Sequence, residues 1–242
     1  MKWRFIYRGM KARYRDQKIE LKTLVNALKP DDVAVDVGCN KGSYLWALSR
    51  AVPKGRVVAF EPQPLLVEYL NKACFESGLN NVLIEGKGVS DRNDVLSLAV
   101  PGGQATSPGA SFEDAVKKRE SVQAYDVETV KLDDYFNNET KHIGAIKIDV
   151  EGHELAVIRG AQHILSRHRP IVVCESEQRH MSQGHVTDLF ELMEKIGYAG
   201  QFVDAGVLRP LSDFIPAVHQ SEQGDRFWDQ PHYCNNFIFK AL

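Results

Sequence analysis

Two glycines and two polar residues lie within or just after the first strongly apolar run of this sequence. Asp36 lies inside that run, 33–37, and Gly38, Asn40 and Gly42 follow it. Gly38 permits a sharp turn and Gly42 permits close approach of a helix to a ligand, because glycine has no side chain. The spacing differs from the G-x-G-x-x-G of dinucleotide-binding turns, and the Asp36 carboxylate suits a cationic or hydrogen-bond-donating ligand better than a pyrophosphate. The pattern predicts a ligand-binding turn, or else a plain glycine-rich strand-to-helix connection.

An acidic residue ends the second apolar run. Glu61 follows 56–60 and comes 19 residues after Gly42. In folds that bind dinucleotides or adenosyl groups, an acid at this position binds the ribose hydroxyls, and a carboxylate can accept two O–H hydrogen bonds. Together with the upstream turn, Glu61 indicates a ribose-containing ligand. Alone, it would also fit a solvated acid at a strand end.

The densest group of ionisable residues is the block 146–154. It contains Lys147, Asp149, Glu151 and His153, around a strand end and a helix start. Alternation along the strand places Lys147 and Asp149 on one face, opposite their apolar neighbours. Acids at a helix N-terminus are favoured by the helix dipole, which explains part of the block without any function. Such a group at the ligand-binding edge of a sheet is nevertheless a candidate functional site.

These groups depend on strands and helices that alternate from about residue 30 to 200, a pattern typical of parallel βαβ units. The apolar runs predict strands at 33–37, 56–60, 81–84, 94–100, 127–130, 145–149, 171–174 and 236–239, and helical spacing predicts helices near 43–48, 65–73, 155–165 and 186–196. The strands lack clean alternation, which is expected when helices cover both sheet faces. Right-handed crossovers bring the carboxyl ends of the strands to one edge, where ligands bind.

Five segments, taken in order, resemble the FkbM methyltransferase family. They are 35–42, 60–62, 89–91, 146–154 and 169–175, and the Lys-Ile-Asp-Val-Glu-Gly-His-Glu sequence within the fourth is the most specific. Cys39 departs from the alanine common in the first motif. The resemblance covers about residues 33–175. It implies an α/β fold of the class I methyltransferase type, with a Rossmann-like, mostly parallel sheet, an antiparallel closing strand and helices on both faces.

The resemblance also implies a cofactor, a reaction and residue roles. The cofactor would be S-adenosylmethionine, and the methyl group would pass to a hydroxyl of a small molecule, sugar or glycan. The methionine side of the cofactor would be lined by Asp36, Gly38, Asn40 and Gly42, the ribose would be held by Glu61, and the adenine would lie against Val89, Ser90 and Asp91. The transfer zone would be faced by Asp149, Glu151 and His153.

Methylation of an unactivated hydroxyl benefits from a general base. His153 is the favoured candidate because imidazole accepts a proton near neutral pH, and Asp149 or Glu151 would otherwise accept the proton or orient His153. Asp149 and Glu175 end the fourth and fifth core strands, where catechol-type methyltransferases hold Mg²⁺ with oxygen ligands. Ser176 follows Glu175 where an Asn partner would be needed, so a divalent cation is not expected.

Three other functions remain open at this point. An NAD-dependent oxidoreductase on a similar sheet is disfavoured by the missing G-x-G-x-x-G. A catalytically silent, methyltransferase-like binding module is disfavoured by the intact Asp36, Glu61 and Asp149. A nucleic-acid methyltransferase is supported only by basic residues near the N-terminus. The formal net charge of −2 does not indicate a protein whose surface as a whole attracts nucleic acid.

Charge divides the 242 residues into an arm and a domain. Residues 1–29 hold nine Lys/Arg against two Asp/Glu, which predicts a basic helical arm suited to an anionic partner or membrane headgroups. The alternative is a solvated helix whose aromatics, Trp3, Phe5, Tyr7 and Tyr14, dock on the domain. Residues 30–242 are predicted to form a single domain with a mobile, Gly/Pro-rich loop near 101–124. The four cysteines show no paired spacing and no run approaches a membrane span, so a cytoplasmic location is expected.

Overall fold

The computed structural model describes residues 2–102, 105–117 and 121–242. The strands are β1 (Val33–Val37), β2 (Arg56–Phe60), β3 (Val82–Glu85), β4 (Gly88–Val89), β5 (Asp94–Val100), β6 (Gln123–Val130), β7 (Ile143–Ile148), β8 (Ile171–Glu175), β9 (Tyr198–Asp204), β10 (Val207–Pro210) and β11 (Asn236–Ala241). The α-helices are α1 (Lys2–Lys11), α2 (Lys18–Ala27), α3 (Leu45–Ala51), α4 (Pro64–Ser77), α5 (Asp114–Lys117), α6 (Leu132–Tyr135), α7 (Glu154–Arg159), α8 (Gln162–His168), α9 (Val186–Lys195) and α10 (Pro216–His219).

The main sheet has eight strands in the order β10-β9-β11-β8-β7-β1-β2-β3. The strands β3, β2, β1, β7 and β8 are parallel, and β11 is inserted antiparallel between β8 and β9. Every residue of β1 and β7 is buried. One apolar core lies under α1 to α4 and another under α6 to α9, which is why these strands read as apolar on both faces. The predicted fold class, with its antiparallel closing strand, is confirmed.

The helix predicted across 155–165 is wrong in one respect: it is two helices, α7 and α8. Gly160 lies at the break, where an added Cβ would come within 2.1 Å of the Ser90 backbone oxygen. The new start of α8 is held by Asp133, whose carboxylate accepts hydrogen bonds from the Ile164 and His163 amides at 2.9 and 3.0 Å. Helical spacing on both sides of a turn therefore looked like one continuous helix.

Two strands of the main sheet, β9 and β10, were not predicted from the sequence. Residues such as Ala199, Gly200 and Gln201 in β9 have little intrinsic preference for strands. In the fold, β9 pairs with β11 on one side and β10 on the other. Tertiary pairing thus supplies the strand where local propensity does not.

A small second sheet, with the order β4-β6-β5, lies beside the main one. The chain between β5 and β6 is the loop predicted to be mobile, and residues 103–104 and 118–120 of it lie outside the described residues. Its described part is tied down at two points. Ser111 bridges Ala99 of β5, and Ser107 exchanges two hydrogen bonds with the Gln63 side chain, at 2.8 and 3.0 Å.

The basic N-terminal segment is helical from Lys2 to Ala27, through α1, a π-helical turn at Ala12–Asp16 and α2. Phe5 is fully buried, but Trp3, Tyr7 and Tyr14 are 78%, 64% and 63% exposed. The alternative in which all four aromatics dock on the domain is therefore wrong for three of them. Among the described residues, no helix is long and apolar enough to span a membrane.

Candidate functional site

The residue groups picked out in the sequence meet at the carboxyl edge of the parallel strands. A cavity there is lined by residues from four strand ends and the described part of the loop, among them Gly38, Asn40, Glu61, Gln63, Val89, Phe112, Asp149 and Glu151. Its free volume is about 40 Å³, room for only a few water molecules. Pro108 and Phe112, from the described part of the loop, form one wall of this cavity.

Gly38 lies at the back of this cavity, where the ends of three strands are connected by hydrogen bonds. Its amide and that of Cys39 donate to the Phe60 oxygen at 3.0 and 3.1 Å, and the Asp149 amide donates to the Val37 oxygen at 3.0 Å. Gly38 has φ +74°, and a Cβ would lie 1.8 Å from the Asp149 carbonyl oxygen. Only glycine allows the turns after β1 and β7 to approach this closely.

Glu61 is almost fully buried at the end of β2 and lines the cavity. Its carboxylate accepts hydrogen bonds from the Asn40 amide at 2.8 Å, the Gln63 amide at 3.0 Å and the Gln63 side chain at 3.1 Å. Burial raises the pKa of Glu61 to about 7, although these hydrogen bonds oppose the shift. Since a carboxylate offers about four acceptor positions, two ribose hydroxyls would displace the Gln63 side chain, and with it the link to Ser107.

Lys147 belongs to the ionisable block picked out in the sequence, but no role was predicted for it. Its Nζ lies 3.3 Å from both Asp36 and Asp149 and donates to the Gly38 oxygen at 2.8 Å. Burial lowers the pKa of Lys147, but the two carboxylates more than offset this and raise it overall, so the side chain is an ammonium ion. The strand alternation that placed Lys147 and Asp149 on one face is confirmed, and it was the available signal for this residue.

Asp36 does not line the cavity, contrary to its expected place beside the ligand. It is fully buried behind Lys147, and burial raises its pKa against the opposing effect of Lys147. Gly42 also faces the protein: an added Cβ would come within 2.8 Å of Phe5 and 2.9 Å of Leu70. Asp36 therefore contacts Lys147 instead of the cavity, and Gly42 allows α1 to pack closely.

Of the three residues expected to face the adenine, only Val89 lines the cavity. Ser90 is fully buried and its hydroxyl meets His153 at 2.9 Å. Asp91 is partly exposed and pairs with Arg92 at 3.5 Å.

The structure places His153 in a different cavity, of about 330 Å³, on the other side of Phe112. Both ring nitrogens are engaged: Nδ1 lies 2.8 Å from Glu113 Oε1 and Nε2 lies 2.9 Å from Ser90 Oγ. Burial raises the pKa of Glu113, but the hydrogen bonds from His153 and Ser182 together more than offset this and lower it overall. His153 thus connects the turn after β4 to the loop segment that covers the first cavity, and it is not directed at Asp149.

We expect His153→Ala to weaken ligand binding by loosening this connection, without removing a proton acceptor. Amide hydrogen exchange in 105–117 should accelerate and affinity for S-adenosylhomocysteine should fall several-fold, while the pH profile of kcat keeps its shape. His163→Ala, at an exposed histidine of α8, is the matched control. A large loss of kcat with normal ligand binding would instead make His153 the general base.

Asp149 is the carboxylate shared by two cavities. Besides the first cavity, it lines a neighbouring one of about 250 Å³ together with Arg8, Tyr44 and Lys147. Its side chain is 27% exposed. Glu151 also lines the first cavity, but its carboxylate is paired with His180 at 2.7 Å. Burial raises the pKa of Glu151 and the pairing with His180 opposes this.

Glu154, at the start of α7, holds the loop that carries Asp149 and Glu151. Its carboxylate accepts hydrogen bonds from the Val150 and Gly152 amides at 3.2 and 3.0 Å, and from the Ser176 hydroxyl at 3.1 Å. Of the acids in this block, Glu154 therefore holds the loop at the start of the helix, whereas Asp149 and Glu151 line the cavity. Within the described ranges, no three His, Cys, Asp or Glu side chains are grouped so as to hold a metal ion, and Glu175 accepts a hydrogen bond from Asn235 at 2.8 Å.

Comparison with known proteins identifies the family of the chain. The family model described as Methyltransferase FkbM domain matches residues 36–199. 2-O-methyltransferase NoeI of Sinorhizobium fredii is 26% identical over 188 residues, covering 72% of this chain and 76% of that protein. Hexuronic acid methyltransferase AglP of Haloferax volcanii is 27% identical over 160 residues, covering 66% of this chain and 62% of AglP.

Two solved structures share the fold. Methyltransferase FkbM from Methylobacillus flagellatus KT superposes with a TM-score of 0.50 at 17% identity, over 96% of this chain and 53% of that one. SMU.1697c from Streptococcus mutans, in complex with SAH, gives a TM-score of 0.52 at 10% identity, over 94% and 98% of the two chains. This chain thus spans about half of the first structure and nearly all of the second.

Proposed function

This chain belongs to the FkbM methyltransferase family, and we propose that it transfers the methyl group of S-adenosylmethionine to a hydroxyl oxygen of a sugar or another small molecule. The observation that carries the proposal is the position of Asp149 between the two cavities. The names of NoeI and AglP, a 2-O-methyltransferase and a hexuronic acid methyltransferase, support a hydroxyl acceptor on a carbohydrate.

The residues of the first cavity fit the cofactor. Glu61 offers a buried carboxylate for the ribose hydroxyls, and the apolar side chains of Phe60, Val89, Leu98 and Phe112 offer surfaces for the adenine. The main chain at Gly38 and Asn40 lies toward Asp149, where the methionine end would be held. When bound, the cofactor supplies an electrophilic methyl group on a sulfonium.

The chain's own contribution is to align the acceptor and remove its proton. Asp149 accepts the proton of the acceptor hydroxyl in this proposal. General-base catalysis of this kind accelerates a reaction by about 10²–10⁴-fold. Lys147 fixes the Asp149 carboxylate at 3.3 Å, and Asp36 in turn fixes Lys147. Alignment of acceptor and cofactor contributes further, up to roughly 7–11 kcal/mol in well-oriented reactions.

Thermal unfolding with S-adenosylmethionine, S-adenosylhomocysteine and NAD tests the cofactor. A ligand at about 100 times its Kd should raise the free energy of unfolding by roughly 2.7 kcal/mol, or the Tm by roughly 5–10 °C for this size. Both adenosyl ligands should give this shift and NAD should not, and Glu61→Ala should weaken it relative to its own ligand-free Tm. No shift with either adenosyl ligand would favour a silent binding module, and a shift with NAD alone would contradict the proposal.

Binding of S-adenosylhomocysteine should also depend on pH through Glu61. Because burial raises the pKa of Glu61 to about 7, the carboxylate is mostly protonated below that pH and accepts ribose hydroxyls fully only above it. Affinity measured by calorimetry should therefore rise about tenfold from about pH 6 to about pH 8 and then level off.

Glu61→Gln is the control for this titration, since it removes the ionisable group at nearly constant volume. Burial also raises the pKa of Glu154 to about 7 and raises the pKa of Glu151, so any slope that remains in Glu61→Gln reports groups other than Glu61. An unchanged slope in Glu61→Gln would show that Glu61 is not the titrating group.

A further inference from the structure

The N-terminal arm and the turn after β1 enclose a fourth cavity, of about 360 Å³. We call it the arm groove, and its polar lining is Arg4, Tyr7, Arg8, Lys11, Asp16, Gln17 and Ser43. Arg8, Gln17 and Ser43 also line the 250 Å³ cavity that contains Asp149. The arm groove therefore adjoins the place where a methyl acceptor would meet its proton acceptor.

The charge of the arm groove is positive. Arg4, Arg8 and Lys11 face a single carboxylate, Asp16. That carboxylate is already paired with Lys11 at 2.8 Å and with Arg15, outside the groove lining, also at 2.8 Å. Arg4 and Arg8 thus remain as cations whose charge is not balanced by the described residues of the groove.

Arg8 is held in a fixed position at the junction of the two cavities. Its Nη1 donates to the Lys41 backbone oxygen and to the Tyr69 hydroxyl, each at 3.1 Å. Within the described residues these are its hydrogen bonds, so Nε and Nη2 stay available to a ligand. An arginine positioned in this way is suited to a carboxylate or a phosphate, whose oxygens it can bind in pairs.

The opposite end of the path holds the proposed proton acceptor. Asp149 lines both the first cavity and the 250 Å³ cavity, and its charge is matched there by Lys147 at 3.3 Å. Arg4 and Arg8 of the arm groove, by contrast, have no paired carboxylate among the described residues, so an anionic group is attracted to the groove. A molecule with one anionic group and one hydroxyl is therefore oriented with its anion on the arm and its hydroxyl at Asp149.

Resting on the function proposed above, we propose that the arm groove binds a carboxylate or phosphate group of the methyl acceptor, so that the acceptor is an anionic carbohydrate or similarly sized anionic molecule. Arg8 is the principal contact and Arg4 reinforces it. The arm thereby selects anionic acceptors over neutral ones of the same shape.

The test measures binding of matched probes to protein saturated with S-adenosylhomocysteine. p-Nitrophenyl β-D-glucuronide and p-nitrophenyl β-D-glucoside differ in a carboxylate, and glucose 6-phosphate and glucose differ in a phosphate. We expect at least one anionic probe to bind about tenfold or more tightly than its neutral partner, and Arg8→Gln and Arg4→Gln each to reduce that affinity roughly tenfold. Added salt should weaken the binding.

Lys22→Gln is the matched control, because Lys22 is exposed on α2, outside the groove, and its loss changes the net charge equally. Its probe affinity should equal that of the wild type. Each variant is accepted only if it still binds S-adenosylhomocysteine, which separates this proposal from the proposed function and from a folding defect. Arg4→Gln keeps the test valid if loss of the Arg8 contacts unfolds the arm.

Two results would overturn the proposal. One is the absence of any anionic preference, or of any anionic binding at about 10 mM, in protein that binds S-adenosylhomocysteine. The other is a loss of binding to phosphatidylserine vesicles in Arg4→Gln and Arg8→Gln with the soluble probes unaffected. That outcome would assign the cations, with the exposed Trp3 and Tyr14, to a membrane surface instead.

Discussion

Replacing Asp149 by Asn is expected to lower kcat roughly 10²- to 10⁴-fold, with affinity for S-adenosylhomocysteine essentially unchanged. The amide keeps the shape of the carboxylate and can still accept a hydrogen bond from Lys147, now 3.3 Å away, but it cannot take a proton from the acceptor. Single-turnover methylation of the acceptor found by screening measures the chemical step, and calorimetry measures ligand binding separately.

Glu151→Gln is the comparison for Asp149→Asn. Glu151 lies in the same loop and lines the first cavity, but its carboxylate is occupied by His180, so the loss of kcat should be much smaller. Undiminished turnover in Asp149→Asn at every pH would remove Asp149 from the role of base. A larger loss in Glu151→Gln than in Asp149→Asn would transfer the role to Glu151.

Gly38→Ala is expected to lower the free energy of unfolding by on the order of 4 kcal/mol or more and to abolish binding of S-adenosylhomocysteine. Two costs combine: the positive φ of +74°, and a Cβ that would lie 1.8 Å from the Asp149 oxygen. Because the new Cβ is fixed to the Gly38 backbone and the Asp149 oxygen is itself a backbone atom, relief of this clash would require the ends of β1 and β7 to separate. Chemical denaturation measures the stability and calorimetry the binding.

Gly78→Ala separates the two costs. Gly78 ends α4 with φ +70°, and nothing lies within 4 Å of its ideal Cβ, so its replacement should cost only the left-handed backbone strain, about 1 kcal/mol. Equal losses of stability in the two variants would mean that the turn around Gly38 tolerates a side chain, and that its close contact with Asp149 is not required.

Much of the fold followed from local patterns. The apolar runs at 33–37, 56–60 and 94–100 became β1, β2 and β5 with the predicted bounds. For β1 and β2 the reason is that a strand between two helical layers needs apolar residues on both faces. The strands β9 and β10 and the break at Gly160 were missed because each depends on a distant partner: β11 for the strands, and the Ser90 oxygen for the glycine.

The sequence also placed the main parts of the candidate site at one edge. Gly38, Asn40, Glu61 and Asp149 line a common cavity, as expected when right-handed crossovers bring parallel strand ends together. Their residue types indicated a ribose-binding acid and an ionisable group near the turn. Those features depend on the order of the strands and on the alternation of side chains along each strand, both of which can be recognised in a linear sequence.

The direction of individual side chains was decided by the tertiary structure alone. His153 lies four residues after Asp149, yet it turns to Ser90 and Glu113, because the loop before α7 passes between two cavities. Asp36 is separated from the cavity by Lys147. Spacing along a chain predicts which strand end a residue reaches, but not which neighbour it contacts there.

The N-terminal arm shows the same division. Its positive charge is a property of composition, which the sequence alone determined. Docking of α1 through Phe5 and Gly42 then left Trp3, Tyr7 and Tyr14 exposed and turned Arg8 toward the Asp149 cavity. Sequence determined the charge and the strand ends because these are local. Only packing between distant segments decided which charges face the site.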